Sequence, residues 1–118
     1  MSDAVDVFFA CWGTTDIKQR TDAISRACNS DFYYVDPNSS APITTLHAMI
    51  AYLAQFSAMM PGASAQVVAQ SAHNGHVRAT VDFINDGKKM MRGQYFGDLD
   101  SEGKLTRVIG FTGTGEPE

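Results

Sequence analysis

The hydrophobic period of this chain changes once, near Ser64, and that change restricts the folds open to it. Before Ser64 the apolar residues recur at the spacing of helix faces; after it they alternate as in strands. The second half carries Asn74-Gly75, the strongest short hairpin signal, flanked by residues 66–73 and 76–84. Val77, Ala79, Val81 and Phe83 share one face of the second of these strands, and His76, Arg78, Thr80 and Asp82 the other. Asn85-Asp86-Gly87 makes a further turn. Met91, Gly93, Tyr95, Gly97 and Leu99 then alternate along a third strand. Asp100-Ser101-Glu102-Gly103 makes the last turn, and residues 105–111 the final strand. This part of the chain reads as a four-strand antiparallel meander.

The first half reads as helix, helix, strand, helix. Ser2 or Asp3 can cap a first helix whose stripe is Val5, Phe8, Phe9 and Trp12, with Gly13 as its stop. Thr15 or Asp16 can cap a second, with Ile17, Ile24 and Cys28 on one face and Lys18, Gln19, Arg20 and Arg26 available to water; Asn29-Ser30-Asp31 is expected to break it. Residues 32–36 are aromatic and β-branched and read as a short strand, closed by Pro37. After a loop, Thr44 or Thr45 can cap a third helix with the stripe Leu46, Met49, Ile50, Leu53, Phe56 and Met60, ended by Pro61-Gly62.

Helices followed by a meander point to an α+β domain with helices on one side of a curved antiparallel sheet. Gly93 and Gly97 inside a strand suit a sheet that curls, and a curled sheet closed by helices encloses a cone. The 118 residues, 44% of them apolar, suffice for a single core, and no linker divides the chain. The domain is expected to span 1–113, with 114–118 a flexible tail.

Nine basic residues against thirteen acidic give a net charge of −4, which argues against nucleic-acid binding. No glycine-rich phosphate loop, metal-ligand set or membrane-length apolar run is present, so no cofactor and no membrane partner are expected. His73 and His76 bracket the hairpin turn without a third ligand and read as a solvated hairpin end. Cys11 and Cys28 read as buried thiols, a bridge between their helices being the alternative. No basic start leads into an apolar run at the N-terminus, so the expected compartment is the cytoplasm.

Trp12 ending the first helix, Tyr34-Val35-Asp36-Pro37, Pro61-Gly62, the Asn74-Gly75 hairpin and the final strand with Gly110-Phe111 stand in an order and spacing that carry a family likeness. Over residues 4–113 the chain resembles the nuclear transport factor 2-like superfamily, in its SnoaL-like and ketosteroid isomerase-like branch. The resemblance implies a cystatin-like α+β cone of three helices on a curved sheet, dimeric through the outer sheet face, with an apolar pocket. Members include isomerases, polyketide cyclases, dehydratases and epoxide hydrolases. In ketosteroid isomerases the aspartate of the Asp-Pro pair is the general base, and here that residue is Asp36. The position of the first-helix tyrosine of the oxyanion hole falls on Trp12, and that of the protonated aspartate on Tyr95. One of the three is kept and two are replaced.

The residues themselves allow each role and a plainer one. Asp36 shares a strand face with Phe32 and Tyr34, so it is either a desolvated carboxylate suited to general-base work or the start of a surface turn. Trp12 can donate its indole N–H to a ligand oxygen or simply fill the core. Tyr95, between two glycines, can donate its phenol to a developing oxyanion or pack against neighbours. Phe32, Tyr34, Leu53, Phe56, Val81 and Phe83 are expected to line the ligand site. The expected function is therefore binding of a small apolar organic molecule, with isomerase or cyclase chemistry through Asp36 on a carbonyl compound. A carrier with the same pocket and no chemistry is the alternative, and an interaction module using the sheet face a third. Met91 and Leu99 on one face of a strand, with Met90 and Phe96 on the other, suggest a homodimer.

Overall fold

The computed structural model describes residues 3–117. Helix α1 (Ala4–Ala10) continues into a tighter turn, Cys11–Gly13, and is followed by α2 (Ile17–Ala27), β1 (Cys28–Val35), α3 (Leu46–Met59), β2 (Ser64–His73), β3 (His76–Asn85), β4 (Lys88–Leu99) and β5 (Leu105–Thr112). The helix starts follow side-chain caps. The carboxylate of Asp3 accepts from Asp6 N–H, that of Asp16 from Gln19 N–H, and the hydroxyl of Thr45 from Ala48 N–H. Ser2, the other candidate for the first cap, lies outside the described residues.

One mixed sheet has the order β1-β5-β4-β3-β2. Strands β2 to β5 form the antiparallel meander, and β1 adds to it parallel to β5. Asn74 and Gly75 (φ 51° and 81°) close the first hairpin with both residues left-handed, and Asp86 and Gly87 (φ 57° and 77°) repeat the device. Register shifts in β2–β3, β3–β4 and β4–β5 pairing bend the strands and help the sheet wrap the helices. The core cluster between sheet and helices takes in Phe8, Phe9 and Trp12 from the α1 segment, Ile24 from α2, Met49 and Leu53 from α3, and Val81, Phe83 and Leu105 from the sheet.

Three local expectations are corrected. Asn29-Ser30-Asp31 is not a break but part of β1, because the chain passes from α2 directly into the strand at Cys28. Ile17 does not face the core; it is 71% exposed, in the first turn of α2. Arg20, assigned to water, is instead 3% exposed. The buried face of α2 is Arg20, Ala23, Ile24 and Ala27. The reason is that Arg20 stitches three segments: Nε donates to the Cys11 carbonyl (3.0 Å), and Nη2 to the Trp12 carbonyl (2.8 Å) and Ser57 Oγ (2.9 Å). A buried cation can stay when its donors are used this fully.

Cys11 and Cys28 are buried free thiols. Burial pushes the Cys11 thiol up to about 11 and the Cys28 thiol up to about 12. At the end of β5, Thr112 still belongs to the strand, and Gly113 N–H donates to the Arg92 carbonyl, so the chain holds to the sheet one residue further.

Candidate functional site

Asp36 sits one residue past the end of β1, where Pro37 forbids further pairing. The loop that follows folds back: Tyr34 and Ile43 exchange both backbone hydrogen bonds at 2.9 Å. Within the loop, Asp36 Oδ1 accepts from the backbone N–H groups of Asn38 (2.8 Å) and Ser39 (2.9 Å). That is the turn-forming role open to any Asp-Pro pair.

The same carboxylate also does what a surface turn would not. Tyr34, two residues back on the same strand face, donates its hydroxyl to Oδ2 at 2.5 Å. Tyr52 of α3 donates to both oxygens at 2.6 Å. Every one of these partners is a donor, the pattern a carboxylate demands. Burial pushes all three nearby phenols, Tyr34, Tyr52 and Tyr95, well above the ordinary tyrosine range, and the Asp36 charge adds to each shift. For Tyr95 an interaction with the Tyr34 hydroxyl works in the opposite direction.

A cavity of about 260 Å³ opens beside this cluster. That is just under the roughly 300–1,000 Å³ of typical ligand sites, so the occupant must be small. Asp36, Tyr52 and Tyr95 mark its polar side; Trp12, Phe56, Met59, Met60, Phe83 and Met91 supply apolar wall. Trp12 is held by its neighbours Phe56 and Phe83, at ring-centroid distances of 5.2 and 5.5 Å, and by Arg20 on its carbonyl. Its indole N–H is buried with no hydrogen-bond partner among the described residues, a costly condition for a donor.

Tyr95 reaches the cavity because two glycines let its ring lie flat on the sheet. A β-carbon at Gly93 would come within 2.8 Å of the ring, and one at Gly110 within 2.5 Å. Gly110 is the cross-strand partner of Tyr95, and Asp36 Cβ stands 3.2 Å from the same point. The two glycines beneath the ring are thus Gly93 and Gly110, whereas Gly97 meets Val77 and Leu105.

Of the residues singled out in the sequence, Asp36, Trp12, Tyr95, Phe56 and Phe83 meet at this cavity. Tyr34 is fully buried and reaches it through Asp36. Phe32, Leu53 and Val81 stand in the core cluster and are not part of the cavity wall. Sequence reasoning missed Tyr52. The signal was present: Tyr52, Gln55, Phe56 and Met59 follow helical spacing and form the cavity-facing edge of α3. Arg92, three residues before Tyr95 on β4 and so on the opposite face of the sheet, pairs with Asp82 at 2.6 Å. His76, at the hairpin end, pairs with Asp98. No group of three or more metal-ligating side chains occurs among the described residues.

No protein-family model matches the chain, and no curated protein matches it in sequence. Solved structures do match. A SnoaL-like family protein of Agrobacterium tumefaciens strain C58, provisionally described as an isomerase, superposes with a TM-score of 0.83 at 21% identity, covering 94% of this chain and 95% of its own. A protein of Catenulispora acidiphila with a ketosteroid isomerase-like fold, solved in complex with trimethylamine, gives 0.73 at 15% identity over 93% and 85%. A SnoaL-like protein of Jannaschia sp. CCS1, provisionally described as a polyketide cyclase, gives 0.71 at 14% identity over 92% and 81%. The fold is therefore that of the nuclear transport factor 2-like cone, as its SnoaL-like and ketosteroid isomerase-like members have it.

Proposed function

We propose that this protein binds a small, largely apolar carbonyl compound in the cavity between α3 and the sheet, and that Asp36 moves a proton on it. The observation that carries the reading is one carboxylate, Asp36, set in the wall of a single apolar cavity beside Trp12, whose buried indole N–H has no partner among the described residues. In the step envisaged, an Asp36 oxygen takes a proton from the carbon beside the carbonyl. The electron pair passes to the carbonyl oxygen, which Tyr95 and Trp12 receive as donors, and the proton returns at another carbon. Neighbours described as an isomerase and a polyketide cyclase agree with this class of chemistry, and the trimethylamine complex agrees with a small occupant.

One observation favours the second reading, a carrier without chemistry. Both Asp36 oxygens already accept hydrogen bonds, so a substrate proton would have to compete for them with Tyr34, Tyr52 and the loop N–H groups. Deuterium uptake from solvent into a panel of small ketones, followed by NMR, separates the two. Catalysed uptake that Asp36→Asn abolishes supports the enzyme. Saturable binding without uptake supports the carrier.

The outer sheet face supports a homodimer. Phe96 and Phe111 form an edge-on pair there at 6.0 Å, yet stand 44% and 57% exposed, a state that a second copy would relieve. The free buried thiols suit a reducing compartment and support a cytoplasmic setting. Among the described residues no helix is long and apolar enough to cross a membrane.

A further inference from the structure

The charge of the cavity is one-sided. Among the described residues that line it, Asp36 is the one charged side chain; no lysine, arginine or histidine joins it. The two tyrosines that touch Asp36 turn their protons onto it. Both donors are spent there, and the oxygen of Tyr52, the one of the two that lines the cavity, has acceptor capacity to offer a ligand. Arg92, on the far face of the sheet, has its charge met by Asp82.

Aromatic rings make up much of the rest of the wall, beside Met59, Met60 and Met91. Trp12, Tyr52, Phe56, Phe83 and Tyr95 all border the cavity and form one contiguous set. Trp12 lies 6.2 Å from Tyr52, Phe56 lies 5.9 Å from Phe83, and Phe83 lies 6.4 Å from Tyr95. Aromatic faces are negative, and a desolvated cation against them is attracted more strongly than one in water. An anionic ligand would meet the Asp36 charge with the Trp12 and Tyr95 donors alone to offset it. A neutral ligand would leave that charge held by hydrogen bonds alone, with no ionic partner, beside a small apolar space. A compact organic cation satisfies both the carboxylate and the rings.

We infer that the cavity is a recognition site for a tertiary or quaternary ammonium group, with Asp36 as counter-charge and the five aromatic residues as its cage. This rests on the reading of the cavity as the binding site and narrows the ligand's chemistry. It is also compatible with proton transfer, since a positive charge beside a C–H bond makes that bond more acidic.

The test is calorimetric titration with choline and with the neutral alcohol in which a tert-butyl group replaces the trimethylammonium, at one ionic strength. The two probes share shape and differ in charge. Choline is expected to bind on the order of tenfold or more tightly than the alcohol. Asp36→Asn keeps a turn-forming oxygen, and Phe56→Leu keeps an apolar wall; each is expected to cut that preference several-fold, with a native urea midpoint confirming the fold. Equal or tighter binding of the alcohol overturns the cation inference and leaves the cavity reading standing. Binding of neither probe at millimolar concentration also overturns it, while deuterium uptake into ketones continues to test the cavity by itself.

Discussion

The ring of Tyr95 rests on Gly110 of the neighbouring strand so closely that a β-carbon there would come within 2.5 Å of it. The far side of the ring edge is held the same way by Gly93. The phenol is thus placed in the cavity by what two other positions lack. Gly110→Ala is expected to lift the ring into the cavity, to cost about 1–3 kcal/mol as overpacking does, and to weaken ligand binding. Urea denaturation together with a binding titration checks it.

Arg20 is expected to matter more than any surface arginine. Arg20→Met removes the donors on the Cys11 and Trp12 carbonyls and on Ser57. The loss in stability should be about 2–4 kcal/mol, because buried carbonyls are left unpaired. Arg20→Lys should restore little of it, since an ammonium lacks the planar fork. Urea midpoints of the two variants decide the matter.

Stability should fall in alkali, starting near pH 9. An unfolded thiol titrates near its ordinary value of 9.0, whereas folded Cys11 and Cys28 keep their protons up to about 11 and about 12. Below pH 9 both states hold the proton and nothing changes. Between 9 and those values the unfolded chain alone loses it, so each thiol costs about 1.4 kcal/mol per pH unit. The raised phenols of Tyr34, Tyr52 and Tyr95 steepen the fall above pH 10. Urea midpoints from pH 8 to 11 measure it; a flat profile would contradict the burial argument.

Much of the architecture was legible because it depends on local chemistry. The caps, the Asn74-Gly75 turn and the alternation of β3 and β4 are written in neighbouring residues. What was not legible depends on distant partners. Arg20 has the composition of a surface residue, and only the approach of Cys11, Trp12 and Ser57 makes it a core one. Asp36 could be read as a turn or as a site residue, and it is a turn residue whose carboxylate also meets Tyr34 and Tyr52. Tyr52 was missed because the stripe read on α3 followed Met49 and Leu53, which face the core, and met the cavity edge of Tyr52, Gln55, Phe56 and Met59 at Phe56 alone within the helix.

The outer sheet face carries its own prediction. Sedimentation velocity should give a dimer for the protein and a monomer for Phe96→Glu, because a charge placed on the exposed Phe96–Phe111 pair would be buried on association. A monomeric parent protein would leave those rings without the proposed cover.

The most direct test of the cavity reading is the fluorescence of Trp12, the sole tryptophan, alone and during titration with small ketones and ammonium compounds. Its burial predicts a blue-shifted emission, and its place in the cavity wall predicts a saturable change as a ligand enters. A red emission, or an emission unmoved by a compound that calorimetry shows to bind, would contradict a binding site built around Trp12 and Asp36.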